Sequence, residues 1–105
     1  MTIVFEDEAL RELYVNGFTK DKKYRRLPAD IVRWYIKTIN YIRAARRTED
    51  LLLIKSLHYE KKQGNLKGIE AVWINGQYRL LFNSTSNDQG VFVKVCFIEI
   101  SKHYE

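Results

Sequence analysis

The chain has 105 residues, 46% of them hydrophobic and 13% aromatic, which is enough for a real core and too apolar for a disordered segment. Its lone cysteine, Cys96, excludes an intrachain disulfide and any cysteine-cluster metal site. The net charge of +5 is unevenly spread: between positions 20 and 47, ten Lys/Arg meet only Asp21 and Asp30.

Such a concentrated field favours a polyanion or an acidic protein partner, although charges on a helix also serve simply to solvate it. The start, Met1 to Glu8, lacks the basic region and apolar run of a signal peptide. No stretch approaches the ~20 apolar residues of a membrane span, so a soluble, cytoplasmic protein without membrane contact is expected. One domain over 1–105 is the natural reading of this length.

Ile3-Val4-Phe5 reads as a short first strand. A helix follows, with Glu6, Asp7 and Glu8 suited to its N-terminal dipole and Gly17 as its stop; Ala9, Leu10, Leu13 and Tyr14 supply the apolar face. Phe18 to Leu27 forms a basic connector carrying Lys22, Lys23, Arg25 and Arg26. Pro28-Ala29-Asp30 opens a second helix expected to run to about Arg47. Ile31, Trp34, Tyr35, Thr38, Ile42 and Ala45 recur at spacings of three and four and mark its buried side. Arg33, Lys37, Asn40, Arg43 and Arg47 form a stripe on the other. Thr48 looks like an N-cap for a short helix through Ile54, with Glu49 and Asp50 in its first turn.

From His58 to Gly68 the pattern breaks into a polar loop. Three strands then close the chain at about 69–74, 77–83 and 91–100, with Ser84 to Gly90 as a flexible connection. Asn75-Gly76 between apolar runs is the strongest short-range hairpin signal, because a type I′ turn needs positive φ at both central residues. The order implies an α+β fold in which an N-terminal helical pair packs on a mostly antiparallel sheet of about four strands. Cys96, in an apolar strand, reads as a small buried hydrophobe, and Trp73, Tyr78 and Phe82 read as core.

Leu57-His58, then Leu66-Lys67-Gly68, then Trp73 to Phe82 with its Asn-Gly-Gln-Tyr-Arg hairpin, then a terminal Lys102-His103-Tyr104, resembles the RelE/ParE superfamily of toxin-antitoxin toxins. Within it the HigB, or plasmid-maintenance killer, branch matches best. The resemblance implies a RelE-like fold and a metal-independent endoribonuclease, with no cofactor, that cuts mRNA in the ribosomal A site. It also implies a neighbouring antitoxin of the helix-turn-helix, HigA-like kind. The catalytic residues it implies are His58 as general acid or base, Arg79 as the phosphate-binding cation, and His103 and Tyr104 for base stacking or proton movement.

The chemistry suits those residue types. Cleavage needs a base for the ribose 2′-OH, a cation for the charged transition state and an acid for the 5′-oxygen. A guanidinium fits two phosphate oxygens, unless Arg79 is a strand Arg paired with Glu70 or Glu99. His58 has the simpler reading of an ordinary surface His. Lys61, Lys62, Lys67 and Lys102 are candidate RNA contacts, together with the stripe of Arg33, Lys37, Arg43 and Arg47. Two other functions are compatible with the fold: a ParE-like inhibitor of DNA gyrase without hydrolysis, and a degenerate member that only binds antitoxin or RNA. The proton-transfer groups favour the nuclease.

Overall fold

A computed structural model describes residues 1–102. Strand β1 (Thr2–Phe5) leads into helix α1 (Glu8–Asn16). Asp7 caps that helix by accepting the backbone N–H of Ala9 at 2.9 Å, and Gly17 ends it in the left-handed region, φ 83°. After the basic connector comes α2 (Ala29–Ala44). It ends three residues short of the expected Arg47, because Ala45 turns extended and the Asp50 carboxylate takes the N–H groups of Arg46 and Arg47. That capture starts α3 (Thr48–Leu52), whose N-cap is therefore Arg47 and not Thr48.

The sheet has five strands in the order β1-β5-β4-β3-β2, one more than the sequence implied. The addition is β2 (Glu60–Lys61), inside the stretch read as loop and paired with Ala71 and Glu70 of β3 (Glu70–Trp73). Strands β3, β4 (Tyr78–Ser86) and β5 (Phe92–Lys102) form the expected antiparallel series, and β1 joins β5 in parallel.

The core lies between the helices and one sheet face. Leu10, Leu13, Tyr35, Ile39 and Ile42 meet Val72, Leu80, Phe82, Val95 and Phe97, all fully buried. Two tyrosines fix this contact: the Tyr35 hydroxyl donates to the Leu10 carbonyl at 2.8 Å, and the Tyr24 hydroxyl accepts the Ile100 N–H at 3.3 Å. Trp34 does not join them. It is 45% exposed, because the buried arc of α2 runs through Ile31, Tyr35, Thr38 and Ile42 with Val32 and Ile39, which leaves Trp34 on its margin. Cys96 is only partly buried, and desolvation raises its thiol pKa.

The β3–β4 hairpin forms with a different turn. Neither Asn75 nor Gly76 takes positive φ. The Asn75 side chain instead accepts the N–H groups of Gln77 and Tyr78 at 2.9 and 2.8 Å, so the carboxamide closes a wider turn.

Candidate functional site

Alternation along β4 buries Leu80 and Phe82, so Arg79 lies on the other sheet face. Its ladder partner is Trp73, which places both side chains on that face. The Arg79 guanidinium carbon lies 4.0 Å from the centre of the Trp73 ring. One guanidinium nitrogen donates to the carbonyls of Asn75 (2.9 Å) and Tyr78 (3.3 Å), which fixes the fork. Burial pushes the Arg79 pKa below its ordinary value, with Glu60 nearby acting in the opposite sense.

The carboxylate pairing considered for Arg79 does not form. Glu70 is buried and accepts the hydroxyls of Tyr59 and Ser84, each at 2.6 Å, while Glu99 lies 4.0 Å from Lys23. Among the described residues no carboxylate forms a salt bridge with Arg79.

His58 ends a 3₁₀ turn over Lys55–Leu57 and is the one non-glycine among the described residues with positive φ, 45°. Histidine is one of the few side chains enriched in that region, and here it closes the turn. The conformation lays the imidazole on Trp73, with ring centres 3.7 Å apart and planes 25° from parallel. His58 and Arg79, 21 positions apart in the chain, thus meet on one indole.

Trp73 is the second tryptophan, after Trp34, whose place differs from that expected of the sequence. Phe82 is fully buried and Tyr78 packs against the core, as expected, but Trp73 is the platform of the site. The expected two-residue Asn75-Gly76 turn would have set Arg79 opposite Val72; only the wider turn brings it opposite Trp73.

The basic residues divide among several places. Lys102 follows Ser101, the β5 partner of Arg79, and its ammonium lies 6.0 Å from the Tyr78 ring. Lys61, Lys62 and Lys67 line a separate hollow of about 480 Å³, where Lys62 also pairs with Glu60. Arg33 and Lys37 are exposed on α2. Arg43 donates to the Tyr14 hydroxyl at 2.7 Å, and Arg47, beyond the helix end, donates to the Gln89 carbonyl at 3.2 Å. The expected single stripe is therefore broken where α2 stops. A second hollow, about 420 Å³, opens between α2 and the hairpin turn, with His58 and Trp73 in its wall. His103 and Tyr104 lie outside the described residues.

Residues 4–98 match the profile of HigB-like toxins, described as the RelE-like toxin of type II toxin-antitoxin system HigB. The chain belongs to that family. Toxin HigB-1 of Vibrio cholerae serotype O1 is 32% identical over 82 residues, which cover 78% of this chain and 82% of that protein. The fold is also similar to a YoeB/ParE toxin from Agrobacterium tumefaciens, with a TM-score of 0.59 at 17% identity over 99% of this chain and 100% of the other. A YoeB-YefM complex from Staphylococcus aureus gives 0.55 at 18% identity over 99% and 98%. This HigB-like chain is accordingly a toxin of a toxin-antitoxin system, and its partner is an antitoxin. Among the described residues, no helix is long and apolar enough to cross a membrane.

Proposed function

We propose that this toxin is an endoribonuclease that cuts mRNA in the ribosomal A site in the cytoplasm, and so halts translation, without a metal ion. The observation that carries the reading is the meeting of His58 and Arg79 on Trp73. An imidazole, a group that can give or take a proton, and a preorientated cation are held against the same indole, the two kinds of group that transesterification of RNA requires.

The 2′-oxygen of the ribose attacks phosphorus as a base removes its proton. Charge grows on the two non-bridging oxygens facing Arg79, and the 5′-oxygen leaves with a proton from an acid. His58 takes one of the two proton roles. The family resemblance gives the other to His103 or Tyr104. Arg79 supplies the positive charge that a bound ion supplies in metal-dependent nucleases. Lys102, Lys61, Lys62 and Lys67 hold RNA phosphates, and Arg33, Lys37, Arg43 and Arg47 contact RNA on the α2 side, of the message or of the ribosome. The antitoxin is of the HigA-like, helix-turn-helix kind.

The test incubates purified toxin with naked mRNA, with mRNA on translating ribosomes, and with DNA gyrase. The expected result is cleavage on ribosomes alone, leaving a 2′,3′-cyclic phosphate and a 5′-hydroxyl. Cleavage of naked RNA at the same rate, ends bearing 5′-phosphate, or gyrase inhibition with intact mRNA each contradicts it.

A further inference from the structure

The hollow between α2 and the hairpin turn has, on its α2 side, residues that the cleavage chemistry does not use. Trp34 and Tyr41 of α2 form one side, and His58 and Trp73 form the other. Both tryptophans of the chain therefore line it. Trp34 is 45% exposed, a large aromatic surface left open at the rim. The Lys37 ammonium lies over it, 4.7 Å from the Trp34 ring centre and 5.8 Å from that of Tyr41. The volume, about 420 Å³, falls within the range of ligand sites and admits a flat heterocycle.

We infer that this hollow is a nucleobase subsite, in which the nucleotide next to the cleaved bond stacks on Trp34 and Tyr41 while Lys37 meets its phosphate. This inference rests on the ribonuclease reading, because the occupant is argued from continuity: His58 and Trp73 belong to both sites. A strand held at Arg79 lies against Trp73, and Trp73 is also part of the wall of the hollow. Aromatic rings beside a cation are the combination that holds single-stranded RNA, and stacking there tolerates any base because every base has a π-face. Lys37 is exposed on a long stem, so it can leave the rings for a phosphate as the base arrives.

The experiment compares wild type, Trp34→Ala and Trp34→Phe in steady-state cleavage of ribosome-bound mRNA. Trp34→Ala should raise KM about 5- to 150-fold with kcat little changed, the range that one stacked base is worth, and Trp34→Phe should restore most of it. A second readout uses the placement of both tryptophans. A 2′-O-methyl RNA trinucleotide, which lacks the attacking hydroxyl, should quench the intrinsic fluorescence of the wild-type toxin.

If wild type cleaves and Trp34→Ala keeps its KM, the subsite is overturned while the ribonuclease reading stands. Should Trp34→Ala weaken antitoxin binding alone, the face belongs to the protein partner and the inference is likewise overturned. If wild type fails to cleave on ribosomes, the ribonuclease reading falls, and the subsite is then decided by whether Trp34→Ala weakens binding of the trinucleotide, read from quenching of the remaining Trp73; unchanged binding overturns it.

Discussion

Arg79 and Trp73 face each other across the β3–β4 ladder, and the guanidinium carbon stands 4.0 Å from the indole centre. The ring holds the cation without neutralising it, as a carboxylate partner would. Trp73→Leu should thus lower cleavage about 2- to 30-fold, the range set by a cation–π contact of ~0.5–2 kcal/mol. Single-turnover cleavage measures the loss, and a rate equal to wild type would remove Trp73 from the site.

Arg79→Ala should abolish toxicity and leave the fold intact. Loss of one preorganised donor at a developing charge costs ~10²–10³ in rate. Arg79→Lys should recover little, because a point charge cannot reproduce the fork. Growth arrest on induction and circular dichroism report the two halves, and full toxicity from folded Arg79→Ala would exclude the assignment.

His58→Gln, and separately the joint replacement of His103 and Tyr104, should each reduce cleavage by ~10²–10⁴. Neither change is expected to move the melting temperature by more than a degree or two. A large drop in stability with cleavage preserved would make these groups structural.

Asp50 supports the turn between α2 and α3 by accepting the N–H groups of Arg46 and Arg47, which hold its carboxyl below the usual carboxylate range. A folded-state pKa lower than the unfolded one means the stabilisation is complete above the unfolded value and is lost as pH falls through the folded one. Asp50→Ala should therefore melt earlier than wild type at pH 7, and the difference should vanish in acid. An offset that persists unchanged at low pH would contradict the carboxylate's role.

Arg33→Glu with Lys37→Glu should weaken ribosome association without unfolding the protein, since both side chains are exposed on α2. Each phosphate that is no longer neutralised should flatten the salt dependence by about 0.7–0.9 in log affinity per log unit of salt. Co-sedimentation across a salt series measures both quantities. Identical binding and slope would leave the α2 cations as solvation alone.

The long elements were legible because their signals are local. Periodicity located α1 and α2, and the hairpin followed from Asn75 between two apolar runs. The features left unread or misread depend on pairings that spacing does not carry. The parallel pairing of β1 with β5 joins opposite ends of the chain, and β2 is only two residues long. The turn type changed because the Asn75 side chain, not a left-handed backbone, satisfies the turn. At the site, Arg79 and His58 were visible by type and family resemblance. The indole joining them was hidden because a strand tryptophan suits a core equally well. Trp34 escaped for a related reason: it lies one helical step outside the buried arc, where hydrophobicity alone marks it as inward.

The most direct measurement maps toeprints on mRNA held in ribosomes with a filled P site and an empty A site, with wild type and Arg79→Ala compared. Wild type should cut within the A-site codon, with the cut blocked when the A site is occupied and lost in Arg79→Ala. Intact A-site mRNA with wild-type toxin, or equal cutting by a folded Arg79→Ala protein, would contradict this.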